Sequence, residues 1–437
     1  MRELEARLQL DSRNSSKPPS SDPPGARRKP ARGPGGRKAG GQPGHKGKSR
    51  PAFAPEDVDR TEEAHPKCCH LCGGSLRGAA RGVLDPVRHQ VVDLPVALAE
   101  VMEYVLHRVL CPRCGVVTTA PLPPGTPSGV VGPRLQAVFA LLVGRFRLSR
   151  REALEAVVSL FGPKAEVSLG TLSALEGRTS AALGTPWEEA KAAVRASAVA
   201  HADETSYGRA RWLWTACTSV VSFFLLDPNR SRAASQRLLG EDFPGVIVTD
   251  RWASYDHHPP QRRQLCWAHL KRNGQELLDR GGPAARVGRA VLRAVDAVFS
   301  AWEKHGAGRL TVPSMARRLA PARRELLHAL RRGRTNADRK AAALCNDLLK
   351  RFVSLWTFAR RPGVEPTNNL AEREIRPAVL WRKGCFGASC DAGRRFTERI
   401  LTVARTLRRH GRDILAYLEA AIRARLAGTP APRLLTA

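Results

Sequence analysis

Residues 197–266 constrain the fold more than any other stretch, because hydrophobic patterning there switches from a helical to a strand-like period. Three strand-like runs follow one another closely: ASAVAHADET, RWLWTACTS and VVSFFLLDP. A helical segment, SRAASQRLL, leads to a fourth strand, GVIVTD. A short helix at WASYD then precedes a fifth strand, QLCWAH. The first three strands can form a meander. The last two are each reached by a crossover and must therefore run parallel to a neighbour. An all-helical or a purely antiparallel fold is excluded.

Three antiparallel strands followed by two parallel ones is the ribonuclease H-like order, and the acids of this segment fall where that order would make a site. Asp203 follows the apolar run SAVAHA, and Asp250 ends GVIVT. Sites in α/β sheets assemble at the carboxyl ends of strands. Two carboxylates at adjacent strand ends repel unless a hard cation joins them, and Mg2+ or Mn2+ suits that role. Glu372, in the helix opened by Pro366-Thr367-Asn368-Asn369, is the expected third ligand. Three such acids suit a two-metal, in-line displacement at phosphorus. Glu204, Asp256, Glu365 and Glu374 are local rivals. Arg373, Arg376, Arg382 and Lys383 lie beside Glu372 and are expected to hold phosphates.

The rest of the chain predicts a multidomain protein. Residues 1–16 read as a helical stub of a coil. Residues 17–65 read as a Pro/Gly-rich arm, with no acid between Asp22 and Glu56; Arg27, Arg28, Lys29, Lys46 and Lys48 in it are expected to track a phosphate backbone. Residues 66–123 carry two Cys-x-x-Cys knuckles, Cys69/Cys72 and Cys111/Cys114, each followed by glycine. This predicts a zinc ribbon, with Cys68 as the alternative to Cys69. Residues 130–190 read as a helical, helix-turn-helix-like DNA-binding domain, with a capping box at Ser149 and Glu152 and a helix start at Ser168. The catalytic core is expected in two parts, 197–266 and 361–425, interrupted by an Arg-rich, all-helical insertion at 267–360. Residues 426–437 form a tail.

Charge decides the partner class. The 437 residues carry a formal net charge of +32, which points to a polyanion, most often nucleic acid. No apolar run reaches the ~20 residues that a membrane-spanning helix needs. The start lacks a signal-peptide core, so a cytoplasmic protein is expected, and its 10 cysteines are not expected to form a disulfide framework.

The strings HADETSY, IVTDRWASYD, CWAHLKR and PTNNLAEREIRPAVLWRKGCFGASCDAGRRF, with LDSRNSSKPPSSD and GGQPGHKG near the start, closely resemble the DDE transposases of the insertion sequence sixty-six family of bacterial mobile elements. The resemblance runs from about residue 8 to residue 420. It implies a zinc finger, a helix-turn-helix and a ribonuclease H-like domain, with the catalytic triad on Asp203, Asp250 and Glu372. It places a Cys-x-x-His signature on Cys266 and His269. Those two are expected to serve structure, packing the junction where the insertion leaves the sheet; Asn368 and Asn369, the latter part of the same structural signature, are expected to cap the helix that carries Glu372 or to contact DNA. The implied activity is metal-dependent cleavage at terminal inverted repeats and strand transfer into target DNA. The implied partners are double-stranded DNA, further copies of the chain on that DNA, and small companion proteins of the same element. A nucleoid-associated location follows. The alternatives are a catalytically silent, transposase-derived DNA-binding regulator and a nuclease acting on RNA–DNA hybrids.

Overall fold

The computed structural model describes residues 51–77, 87–208, 211–385, 387–388 and 390–435. The expected stub and the arm residues Arg27, Arg28, Lys29, Lys46 and Lys48 lie outside the described residues. The chain divides into two compact units, Pro24–Ala97 and Met1–Pro23 with Leu98–Ala437. The boundary falls inside the span expected for the ribbon.

In the smaller unit the Gln90 side chain brackets Phe53, accepting from its N–H at 2.7 Å and donating to its carbonyl at 3.0 Å. The first knuckle is a tight turn. Cys69 N–H donates to Gly74 O at 2.8 Å, Gly73 N–H donates to Cys69 O at 2.9 Å, and Cys68 bridges Ser75. Gly73 has a φ of 69°, which only glycine adopts without strain.

The larger unit starts with an antiparallel hairpin, β1 (Arg108–Leu110) and β2 (Val117–Thr119). Within it the second knuckle repeats the geometry of the first: Cys111 N–H to Val116 O and Gly115 N–H to Cys111 O, both at 2.9 Å. The apolar stretch before β1, residues 87–107, carries no strand.

A helical layer follows. Helix α1 (Pro133–Ala140) continues as a π-turn to Arg145. Helix α2 (Arg150–Phe161) opens on the expected capping box, with Ser149 and Glu152 satisfying each other's backbone N–H. Helix α3 (Leu169–Ala182) is capped by Ser168, and α4 (Gly184–Arg195) leads into the sheet.

The sheet has five strands: β3 (Val199–Ser206), β4 (Trp212–Cys217), β5 (Ser222–Asp227), β6 (Val246–Thr249) and β7 (Arg263–Leu265), in spatial order β5-β4-β3-β6-β7. β3–β4 and β4–β5 are antiparallel; β3–β6 and β6–β7 are parallel. Helix α5 (Arg232–Leu239) connects β5 to β6. The second crossover is not the short helix expected at WASYD. Only 3-10 turns, Ala253–Tyr255 and Pro260–Arg262, connect β6 to β7, because Pro259 and Pro260 interrupt any helix there. The last strand stops at Leu265. Cys266 instead begins α6 (Trp267–Asp279).

Every residue of β6 is buried, and alternate residues serve different cores. Ile247 packs with α1–α5 and the C-terminal helices, whereas Val246 and Val248 pack with the helices after β7. Those helices are α6, α7 (Gly282–Gly306), α8 (Val312–Gly333) and α9 (Arg339–Lys350). The C-terminal helices are α10 (Asn369–Cys385), α11 (Asp391–Arg409) and α12 (Ile414–Leu426). Helix α11 covers the free edge of β5. The N–H groups of Ser222, Phe224 and Leu226 donate to Thr406 Oγ1, Thr402 Oγ1 and Glu398 Oε2, at 3.2, 3.0 and 3.0 Å.

Candidate active site

The sheet register places the first two acids. His201 on β3 pairs with Val248 on β6, so Asp203, two residues on, lies level with Asp250, just past the end of β6. Asp203 does not end its strand as the sequence suggested. β3 continues to Ser206 because β4 accompanies it that far, while β6 stops at Thr249. Strand alternation puts Asp203 on the face of Val199 and His201, and Glu204 on the opposite face.

Helix α10 brings the third acid in its first turn. Buried Asn368 anchors that turn: its Nδ2 donates to Ala202 O at 2.8 Å, one residue before Asp203, and its backbone N–H donates to Cys266 Sγ at 3.2 Å. Trp267 N–H donates to Pro366 O at 2.9 Å. Glu372 then stands with Oε1 3.5 Å from His269 Nδ1. Potential ligand atoms of Cys266, His269 and Glu372 all lie within 4.8 Å of one another. The three acids do not form so tight a group, yet they act on one another electrostatically. Burial first, then the negative charges of Glu204, Asp250 and Glu372, push the Asp203 carboxyl well above the ordinary range. Burial, and to a smaller degree Asp250, raises Glu372 against the opposing pull of Arg272.

The rival acids are largely accounted for by ion pairs. Glu204 is held by Arg230 at 2.7 Å and by the Tyr255 hydroxyl at 2.6 Å. Glu374 is held by Arg405 and by the Ser222 hydroxyl, each at 2.9 Å. Asp256 pairs with Arg263 and Arg351. Asp203 and Asp250 make no ion pair among the described residues; their carboxylates accept only from the backbone N–H groups of Glu204 and Trp252. Glu365 precedes α10 and is half-buried.

The Cys-x-x-His pair sits on the first turn of α6. Burial pushes the Cys266 thiol up to about 11, so it is a neutral thiol that accepts the Asn368 N–H. Burial, helped by Arg272, takes His269 down to about 4, so its imidazole is neutral. Sequence reasoning missed Arg272. The signal was its spacing, three residues after His269 and so on the same helical face. Arg251 was also missed; its Nη2 donates to Asn273 Oδ1 at 2.9 Å, and it pairs with Asp347.

Of the basic residues expected near the site, Arg373, Arg376 and Lys383 are exposed and make no ion pair among the described residues. Arg382 reaches back to Ser206 at the end of β3. Asn369 is exposed at the start of α10. The exposed face of α3 carries a single cation, Arg178, the rest being Leu169, Gly170, Ser173 and Ala174. In each knuckle, taken by itself, the leading thiol is lowered by backbone N–H groups: Cys69 by those of Cys72 and Leu71, Cys111 by those of Cys114 and Arg113.

The family model described as the IS66 family of transposases matches residues 154–395, more than half of the chain and all of the elements just described from β3 to the first turn of α11. The chain belongs to the IS66 transposase family. Residues 1–51 match a second model, described as a family of unknown function. Among curated proteins, this IS66 transposase is similar to the uncharacterized protein y4hP of Sinorhizobium fredii, with 25% identity over 87% of this chain and 74% of that protein. It is also similar to the uncharacterized protein y4qI of the same organism, with 23% identity over 50% of this chain and 44% of that protein. Membership of a transposase family implies a DNA partner. No helix among the described residues is long and apolar enough to cross a membrane.

Proposed function

We propose that this IS66 transposase cuts DNA at the ends of its element and joins those ends to target DNA, using Asp203, Asp250 and Glu372. The observation that carries the reading is the contrast among acids. Asp203 on β3 and Asp250 just past the end of the adjacent parallel β6 stand level without a basic partner, whereas Glu204, Glu374 and Asp256 are neutralised by arginine. Carboxylates that raise one another's proton affinity in a chain of net charge +32 are stabilised best by a hard cation. The strand order β5-β4-β3-β6-β7, with its antiparallel and parallel halves, supports a ribonuclease H-like core, and α6–α9 fit the expected helical insertion.

Asp203, Asp250 and Glu372 would hold Mg2+ or Mn2+. Bound there, such ions supply a polarised oxygen nucleophile and charge neutralisation at phosphorus. Asn368 fixes the Glu372 turn against β3, and neutral His269 abuts the Glu372 carboxylate. Water attacks the phosphorus at the element end, the P–O3′ bond breaks, and the leaving oxygen is protonated to a 3′-hydroxyl. That hydroxyl attacks a target phosphodiester, whose own 3′-oxygen leaves. Arg373, Arg376, Arg382 and Lys383 would hold backbone phosphates around the reacting strand. No covalent protein–DNA intermediate is formed.

Each knuckle, taken by itself, suits zinc ligation. Cys69 in the one and Cys111 in the other occupy equivalent turn positions with lowered thiols, which favours Cys69 over Cys68 as the partner of Cys72. The test of function is cleavage of a duplex carrying the element's inverted-repeat end, with Mg2+ present. The wild-type chain should nick it and leave a 3′-hydroxyl, while Asp250→Ala should bind the duplex without cutting. Cleavage that survives Asp250→Ala overturns the assignment. Binding without cleavage by the wild-type chain leaves the regulator reading.

A further inference from the structure

We infer that the outer face of α8 (Val312–Gly333) is a binding surface for the DNA backbone, separate from the basic residues beside Glu372. The helix buries Met315, Leu319, Leu326 and Leu330 in the bundle core. At about 100° per residue these four lie within one narrow arc. Arg317, Arg324 and Arg331 recur every seven residues on the opposite side, and Arg318 and Arg332 flank that row. All five are exposed, and none is in an ion pair among the described residues. The one acid of the helix, Glu325, is already engaged by Arg293 of α7, with Nε–Oε1 at 2.8 Å. The outer face is therefore a row of uncompensated guanidinium groups about 21 Å long from Arg317 to Arg331.

A polyanion with regularly spaced charges complements such a row. Duplex DNA presents one charge per ~1.7 Å of axis, so this length faces several phosphates of one strand. An anionic membrane fits less well. Amphipathic helices hold membranes by inserting an apolar face, and the apolar face of α8 is spent on the bundle. The choice of DNA as the polyanion rests on the transposase reading.

The test uses the full-length chain with Arg317, Arg324 and Arg331 changed together to Ala, and a matching triple Lys variant. Binding to a short duplex of arbitrary sequence is measured across salt concentrations, beside sedimentation with phosphatidylserine vesicles. The Ala variant should lose about tenfold or more in affinity at moderate salt, and its log–log salt slope should flatten by about 2–3. The Lys variant should stay near wild type, since ammonium groups also neutralise phosphates. An Ala variant that binds with the parent slope, equal losses in the Ala and Lys variants, or an effect confined to vesicles overturns the proposal. If the parent fails to cut any element end yet the slope still falls in the Ala variant, the catalytic reading fails and the surface stands. If the parent cuts and the slopes agree, the reverse holds.

Discussion

Asn368 has the largest structural reach of any residue near the site. Its amide spans 166 residues of sequence to the carbonyl of Ala202, and its backbone N–H sits on the Cys266 thiol. Asn368→Ala leaves a buried carbonyl unpaired. It should cost about 1–3 kcal/mol in denaturant unfolding and reduce cleavage by freeing the Glu372 turn. Asn368→Asp should also fail, because a carboxylate cannot donate to Ala202 O and adds a charge beside the acids. Asp203 and Asp250 were legible because an acid beside an apolar strand has few uses. Asn368 was legible as a residue at the start of the Glu372 helix but not as a clamp to β3, because its partner is a backbone carbonyl that only the closed sheet positions. The Cys266 and His269 signature was legible as a motif, but its contact with Glu372 needed the α6–α10 junction. A second titration belongs to Glu398. Burial lifts its carboxyl to about 7, despite the Leu226 N–H that it accepts and nearby cations. A folded pKa above the unfolded one means stability that is full in acid and lost as pH rises from about 4.5 through about 7. Thermal melts of Glu398→Gln should therefore exceed wild type above neutrality, by on the order of 1–3 kcal/mol, and match it near pH 4.

Among the elements, β5 has an edge that would invite pairing with another strand, and α11 closes it with three side chains spaced four residues apart. Thr402→Val keeps the shape but leaves the Phe224 N–H buried and unsatisfied. The expected result is a loss of about 1–3 kcal/mol and a greater tendency to aggregate on heating, followed by light scattering. The α11 sequence showed its amphipathic period but could not show this use, since threonines on a helix face read as filler until the strand is beside them. The α6–α7 crossing is similarly hidden. A Cβ on Gly288 would lie 2.6 Å from Gly274 O and 2.7 Å from Leu278 N. Gly288→Ala must therefore push apart the helix that carries His269, at about 1–3 kcal/mol or more, with cleavage falling alongside stability.

At the scale of the whole molecule, charge and metal should be separable. Because burial first, and then its acidic neighbours, hold the Asp203 carboxyl well above the ordinary range, ionising it costs the metal-free chain stability. Adding Mg2+ should raise the melting temperature of wild type, and Asp203→Asn should melt higher than wild type without metal and respond little to it. Zinc measured by elemental analysis after dialysis should persist in wild type and fall in Cys72→Ser and Cys114→Ser, with no change in Mg2+ response. The succession of five strands was readable from hydrophobic period, and their parallel and antiparallel senses from the connections, whereas the short β6–β7 connection was not, because WASYD has helical composition but too little length before Pro259.

The hydrogen bond from Trp267 to Pro366 pins together the two places where the chain leaves the sheet and returns to it. Everything between, α6 through α9, is a detour with a shared doorway. Synthesis runs from the amino end, so Asp203 and Asp250 emerge well before Glu372, and the detour must be made first. The carboxylate proposed as the third ligand therefore joins the other two only after that stretch has been made. The proposed site is assembled only when the doorway closes.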